Sequence, residues 1–95
     1  MFIHIVLFEI GKSQQRYYRK DCKLWASYAK KAAGFIGYHT LKRLGHKNQF
    51  ASSYFWKTKR DHDRFMKEWH EPLVAKSKAK VRVLGYYNYQ AIQSE

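Results

Sequence analysis

The alternation of apolar and polar positions predicts that the chain opens with a strand. Residues 2 to 10 are rich in β-branched and aromatic side chains, and the turn signal Gly11-Lys12-Ser13 follows them. Successive side chains of a strand point to opposite faces, so one face carries Phe2, His4, Val6, Phe8 and Ile10, and the other carries Ile3, Ile5, Leu7 and Glu9. Both faces are mostly apolar, and we therefore expect both sides of this strand to be covered.

A first helix is predicted from about Gln15 to Ala33, with Gly34 as the residue that ends it. Its apolar positions recur at spacings of four and three: Tyr18, Cys22, Trp25, Ala29 and Ala32. The opposite face is basic and is expected to be solvated: Arg16, Lys20, Lys23, Ser27 and Lys30.

Two further strands follow as a hairpin. The first runs from Phe35 to Leu44, the turn spans Gly45 to Asn48, and the second runs from Phe50 to Trp56. A second helix is then expected, with Thr58 as its cap and Asp61 in the manner of a capping box. Its buried face is predicted to carry Phe65, Met66, Trp69 and Leu73.

Pro72 removes a backbone donor, so we expect the second helix to end or kink near Trp69 to Glu71. Beyond it, every second residue is basic, which would place four charges on one side of an extended chain: Lys76, Lys78, Lys80 and Arg82. A last strand is predicted from Val81 to Ile92. The order β-α-β-β-α-β predicts an α+β, ferredoxin-like subunit, with a four-stranded antiparallel sheet and both helices on one face.

The size and composition of the chain indicate one globular domain over residues 1–95. Its 45% hydrophobic and 27% charged residues are ordinary for such a domain. The single cysteine, Cys22, excludes an internal disulfide framework and favours the cytoplasm. The apolar run at the start is too short for a membrane helix and carries no signal-peptide features, so no membrane partner is expected.

The sheet face opposite the helices is also predicted to be apolar, since it carries Ile3, Ile5 and Leu7. A contiguous apolar patch on a protein surface usually marks an interface. The sequence therefore predicts a homodimer that packs sheet against sheet.

Several short runs resemble the dimeric α+β barrel superfamily. His4-Ile-Val-Leu-Phe8 resembles the first strand of its stress-responsive branch. Gly34-Phe35-Ile-Gly-Tyr38 and Tyr54-Phe-Trp-Lys-Thr58, leading into a helix with Phe65 and His70, are similar to the antibiotic biosynthesis monooxygenase branch. The resemblance implies a homodimer of ferredoxin-like subunits, each with a cavity between sheet and helices.

The same resemblance implies an activity and a set of site residues. It points to a cofactor-free monooxygenase or cyclase-like enzyme acting on an aromatic or polyketide-like molecule, with His4 and His70 as the catalytic pair. The helix Tyr of the stress-responsive branch is replaced here by Phe65. The haem-degrading branch needs an Asn on the first strand and a Trp at the helix position of Phe65, and this chain has neither. The resemblance therefore disfavours haem as a cofactor without excluding it. Whether the protein catalyses any reaction is also left open, and a non-catalytic ligand-binding or regulatory barrel is the alternative.

Elementary chemistry supports a catalytic role for His4 and His70, and it also allows a purely structural role for each. An imidazole buried among apolar groups stays neutral and can act as a general base, but His4 could equally be a core residue bonded to a backbone carbonyl. His70 could divide the acid and base roles with His4, or it could cap the C-terminal end of its helix.

The aromatic side chains predict the rest of the ligand site. Candidate substrate-binding residues are Trp25, His39, Trp56, Phe65 and Trp69, although aromatic residues at helix and strand spacing also build ordinary cores. His62 and His46 are expected to be solvated surface residues. No spacing of histidines and carboxylates indicates a metal site.

The net charge of +12 raises nucleic acid as a rival partner, because the RNA-recognition fold shares this element order. Its third strand should carry a central stacking aromatic, but the best-matching register, from Asn48 to Phe55, has Ser52 there. RNA binding is therefore disfavoured, while weak, salt-sensitive binding of polyanions needs charge alone.

Overall fold

The computed structural model describes residues 1–93 and confirms the predicted fold class. Its elements are β1 (Phe2–Glu9), α1 (Gln15–Ala29, preceded by a 3-10 turn at Lys12–Gln14), β2 (Phe35–Lys42), β3 (Gln49–Trp56), α2 (Lys59–Lys76) and β4 (Arg82–Gln90). The four strands form one antiparallel sheet in the order β2-β3-β1-β4. Neither helix is long and apolar enough to cross a membrane over the described residues.

The register of the sheet fixes what each face carries. Ile5 of β1 lies between Ser53 of β3 and Tyr87 of β4, on the side away from the helices. His4 lies between Tyr54 and Asn88, on the side that the helices cover. The alternation within the first strand therefore predicted correctly which residues face the helices.

Two hydrophobic clusters hold the helices on the sheet. The larger cluster contains Phe2, Ala29, Trp56, Phe65 and Leu73, all almost completely buried. The smaller cluster, at the other end of the sheet, contains Ile10, Tyr18 and Cys22. Both helices thus contribute to the core, and the space between the two clusters is available to a cavity.

The first helix is shorter than its apolar spacing predicts. It ends at Ala29, and the chain then tightens, because Lys31 and Ala32 donate backbone hydrogen bonds to the carbonyls three residues earlier. Gly34 follows with a φ of +83°, a conformation that glycine adopts without steric cost. The second strand also ends early, at Lys42 rather than Leu44.

The second helix begins where the sequence predicts but ends several residues beyond its predicted end. The backbone N–H of Asp61 donates to Thr58 Oγ1 over 3.2 Å, so Thr58 is the cap. The prediction of a helix end near Trp69 to Glu71 is wrong, because α2 continues through Pro72 to Lys76. Leu73 is fully buried in the larger cluster, and burying a leucine contributes about 1.5–3 kcal/mol, enough to offset most of the cost of an internal proline.

The basic residues after α2 do not form the predicted alternating extended run. Lys76 is the last residue of the helix, and its Nζ donates to the hydroxyl of Tyr28 over 2.7 Å. Lys78 and Lys80 lie in a segment without regular structure, and β4 starts only at Arg82. The run is broken because its backbone is bound by side chains of α1 and of the turn that precedes it.

Candidate functional site

A cavity of about 400 Å³ lies between the helix-covered face of the sheet and the two helices. Its wall is mostly apolar and includes Val6 and Phe8 of β1, Met66 of α2, and Val83 of β4. A small number of polar side chains also reach it from both helices and all four strands. Apolar walls with a few placed polar groups are characteristic of sites for small organic molecules.

His4 stands on the wall of this cavity and is 7% exposed. Its Nδ1 lies 2.6 Å from Oδ1 of Asn88 on β4. An amide oxygen only accepts, so this bond assigns the ring proton to Nδ1 and leaves Nε2 with a lone pair. The partner of His4 is therefore a side chain rather than a backbone carbonyl, and the ring presents a basic nitrogen.

His62 is the residue that sequence reasoning misplaced. It is 9% exposed rather than solvated, and its ring centroid lies 4.5 Å from that of His4 and 5.0 Å from that of Phe2. Nδ1 donates to Asp63 Oδ1 over 3.0 Å. Burial lowers the pKa of His62 below its ordinary value, against the opposing effect of the hydrogen bond to Asp63. A signal was available, because His62 precedes Phe65 and Met66 by three and four residues and so shares their helix face.

His70 also lines the cavity, but it is not at a helix end. Because α2 continues to Lys76, the interpretation of His70 as a C-terminal cap is wrong. Its ring packs edge-on against Trp25, with centroids 6.0 Å apart. The structure thus brings His4 and His70 to one cavity, while the ring in direct contact with His4 is that of His62.

The predicted aromatic walls divide into two groups. Trp25 lines the cavity, and its Nε1 donates to Ser77 Oγ over 2.9 Å. Trp56 and Phe65 are instead packed into the larger core cluster, 0% and 2% exposed, because the sheet brings Trp56 beside Phe2 at the sheet end.

Two further candidates lie away from the cavity wall. Trp69 packs on Tyr28, with ring centroids 4.9 Å apart, because it extends toward α1 rather than toward the sheet. His39 lies on the other face of the sheet, where its ring is 5.6 Å from that of Phe55. The expectation that they form the wall of this cavity is wrong.

A cluster of hydroxyl groups forms another part of the wall. The hydroxyls of Tyr18 and Tyr38 lie 2.7 Å and 3.0 Å from Ser52 Oγ, and Thr40 donates to the Tyr38 oxygen over 3.2 Å. Cys22 Sγ lies 3.9 Å from the same serine oxygen. Burial raises the pKa of Tyr18 and of Tyr38 far above the ordinary value of a phenol, so both stay protonated. Sequence reasoning missed this cluster because its members come from three elements.

Asp21 closes one side of the cavity. It is 9% exposed, and its carboxylate accepts the backbone N–H groups of Lys78 and Ala79 at 2.8–3.1 Å. This bond set holds the segment between α2 and β4 against α1, where Ala79 and Val81 complete the wall. Over residues 1–93, no group of three or more histidine, cysteine or carboxylate side chains comes together to hold a metal ion.

No family model and no curated protein sequence matches the chain. The fold matches many solved structures. SnoaB, a cofactor-independent oxygenase from Streptomyces nogalater, superposes with a TM-score of 0.81 at 13% identity, over 98% of this chain and 94% of that one. A candidate antibiotic biosynthesis monooxygenase from Deinococcus radiodurans gives 0.80 at 14% identity, over 100% and 96%.

A mutant of MhuD with two manganese protoporphyrin IX molecules bound per active site gives a TM-score of 0.79 at 12% identity, over 100% of this chain and 98% of that one. At such identities the likeness shows the fold. The chain has the ferredoxin-like fold of the antibiotic biosynthesis monooxygenase-like structures, as the sequence resemblance predicted.

Proposed function

We propose that this protein is a small cofactor-free oxygenase or cyclase-like enzyme that acts on a flat aromatic or polyketide-like molecule. The observation that carries the proposal is a cavity of about 400 Å³ whose wall includes both the basic nitrogen of His4 and the hydroxyl cluster of Tyr18, Tyr38 and Ser52. This volume lies within the range of small-molecule sites. SnoaB, which has the same fold, is a cofactor-independent oxygenase.

The chemistry starts with proton removal. His4 Nε2 accepts a proton from an activated C–H or phenolic O–H of the substrate, and the carbanion or phenolate that forms carries its charge onto a neighbouring oxygen. Tyr18 and Tyr38 remain protonated, so this cluster can donate a hydrogen bond to that oxygen in a site of low polarity. The acidity of the bound substrate is raised in this way, without a metal.

In the oxygenase version, the substrate itself supplies the electrons. A methylene carbon between aryl groups loses one proton to His4, and the carbanion forms a C–O bond with dioxygen. The proton returns from His4 to the peroxide oxygen and gives a hydroperoxide. The carbon of this hydroperoxide then loses its remaining proton while the O–O bond breaks. The outer oxygen leaves as water, and the inner oxygen becomes the carbonyl oxygen. The balance is CH2 + O2 → C=O + H2O. In the cyclase version, the carbanion attacks a ketone carbon of the same chain and the proton returns to the new alkoxide.

The residues do not fit the haem-degrading pattern. The first strand holds no Asn, and the helix position that should hold Trp is Phe65, which is buried in the core and lies off the cavity wall. We therefore assign no step to haem, and the proposed site needs no cofactor.

We also place the proposed enzyme in a homodimer formed by the sheet face opposite the helices. Large apolar side chains are exposed on that face, including Leu41, Tyr87 and Tyr89 at 44%, 44% and 55%. The cavity opens on the other side of the sheet, so pairing of the faces leaves it accessible. The runner-up interpretation, a barrel that binds the same ligands without converting them, shares this assembly.

The test uses 1,8-dihydroxyanthrone, a flat phenolic ketone with an activated methylene. We expect dioxygen uptake with formation of the anthraquinone, and quenching of Trp25 fluorescence on binding. His4→Gln should lower turnover by at least a hundredfold and retain binding, whereas His46→Gln, in the exposed turn, should change neither. Binding without turnover in the native chain supports the ligand-binding alternative, and tight haem binding with no anthrone binding contradicts the proposal.

A further inference from the structure

A second concave surface lies outside the proposed active site, in the groove between α1 and the edge strand β2. Its volume of about 520 Å³ is within the range of small-molecule sites. Cys22 and Tyr38 line both this groove and the cavity, so their side chains form a wall common to the two spaces. The proposed reaction uses neither the groove nor the charged residues around it.

Three cationic side chains from two elements line the groove between α1 and β2. Arg19 and Lys23 lie four residues apart on α1, a spacing that places them on one face of the helix. Lys42 follows Tyr38 by four residues on β2, so it shares the helix-covered face of the sheet with that tyrosine. The charges of the helix and of the strand therefore converge on one groove.

These three charges have no carboxylate partner among residues 1–93. No Asp or Glu side chain lines the groove, and the ion pairs of the described residues join other side chains. Asp21 also belongs to α1, but its carboxylate accepts the backbone N–H groups of Lys78 and Ala79. Like charges at this helical spacing repel each other, and a bound anion would remove that repulsion.

The floor of the groove is apolar. Ala26 of α1 leaves space beside the helix, and Phe50 of β3 and Tyr38 of β2 contribute half-buried rings. A flat aromatic molecule can pack on such rings. The guanidinium of Arg19 at the rim suits a carboxylate, which it can bind through two parallel N–H donors. The groove therefore fits a small molecule that has an aromatic body and one carboxylate.

We propose that the groove between α1 and β2 is a second binding site, whose ligand is a small aromatic carboxylate. Arg19 and Lys23 bind the carboxylate from α1, and Lys42 binds it from β2. The aromatic body of the ligand packs on Phe50. This inference goes beyond the proposed function, because the groove lies outside the cavity and needs neither His4 nor turnover.

The test is an NMR titration of ¹⁵N-labelled protein with 2-naphthoate, at about 0.15 M ionic strength so that distant surface charges are screened. We expect saturable shifts of the backbone N–H signals of Ala26 and Thr40, which line the groove and not the cavity. The neutral 2-naphthamide has a similar shape and should bind at least about tenfold more weakly. Shifts confined to cavity residues such as Met66 and Val83, or equal affinities for the two compounds, would overturn the proposal.

Two matched double variants separate the groove from the net charge of the protein. Arg19→Gln with Lys23→Gln should weaken naphthoate binding at least about tenfold and leave naphthamide binding unchanged. Arg16→Gln with Lys20→Gln removes the same charges at the same spacing from exposed positions off the groove, and should keep the affinity within about twofold. Equal losses in the two double variants would mean that general electrostatic attraction causes the binding, and the proposal would fail.

A third variant, Ala26→Leu, fills the floor of the groove and keeps every charge. It should abolish the saturable shift of Thr40 with naphthoate, and undiminished binding would contradict the proposed position of the aromatic body. The titrations need no substrate of the proposed enzyme, so absence of anthrone turnover leaves their result intact.

Discussion

Gly34 lies against the carboxylate of Asp61, so closely that a Cβ on Gly34 would overlap that side chain. The Gly34 carbonyl also accepts the N–H of Lys57 over 2.8 Å, and Asp61 in turn accepts from the Thr58 hydroxyl. The turn after α1 and the first turn of α2 therefore share one tightly packed corner.

Gly34→Ala should be among the most destabilising single substitutions on the surface of this protein. It places a side chain at a φ of +83° and displaces the Asp61 carboxylate from the cap, and we expect a loss of about 3 kcal/mol in the free energy of unfolding. Gly45 has a similar φ of +81° with open space around it, so Gly45→Ala should cost about 1 kcal/mol. Urea unfolding measures both, and equal losses would show that the contact with Asp61 is unimportant.

Stability should fall on mild acidification because of His62. Burial lowers its pKa in the folded state, so between the ordinary value of 6.5 and the lower folded value the unfolded chain binds more protons. The free energy of unfolding should therefore be constant above about pH 7 and decrease as the pH falls below 6.5.

The measurement is urea unfolding at several pH values from 7.5 to 5, compared with His62→Gln. That variant should show a shallower slope, since it lacks the buried imidazole. Asp63, whose pKa is lowered mainly by its hydrogen bond with Lys59, titrates below its ordinary 3.8 and does not enter this window. If the free energy of unfolding of the variant has the same slope against pH, residues other than His62 cause the pH dependence.

Pro72→Ala should stabilise the protein. Pro72 is exposed and lies within α2, so alanine restores the backbone bond to the Glu68 carbonyl and loses little packing. The expected gain is about 1–3 kcal/mol in the free energy of unfolding. Thermal denaturation measures it, with the neighbouring exposed Glu71→Ala as a control that should stay within about 0.5 kcal/mol. Destabilisation by Pro72→Ala would mean that the helix geometry around His70 depends on the proline.

Tyr87→Glu should dissociate the proposed homodimer. Tyr87 is 44% exposed on the outer sheet face, on the edge strand β4, and a carboxylate buried there by the proposed dimer would be left without a partner. Tyr17→Glu is a matched control, since Tyr17 is 46% exposed on α1. Sedimentation at micromolar concentration should show a dimer for the native chain and for Tyr17→Glu, and a monomer for Tyr87→Glu. A native monomer would contradict the proposed assembly.

The sequence predicted correctly those features that depend on a single helix or strand. It did not predict the features that depend on contacts between several elements. The period of two in β1 placed His4 on the helix face correctly. The helix end expected before Pro72 is absent, because burial of Leu73 is a tertiary effect that no local pattern contains. His62 was misplaced because its polarity and its position in the first turn suggested solvent, whereas its helix face is the buried one. The contacts of Tyr18 with Ser52 join residues far apart in sequence, and no spacing could have indicated them.

The segment between α2 and β4 is attached to the rest of the molecule by side chains rather than by sheet bonds. Asp21 binds the N–H groups of Lys78 and Ala79, and Gln14 accepts the N–H of Lys80 over 2.9 Å. The part of the wall that Ala79 supplies can therefore be altered in size while strand pairing is preserved. Ala79 also packs against the smaller core cluster, so a library confined to positions 79 and 81 should change the selectivity of the proposed ligand site while the strand pairing is kept, at some cost in packing.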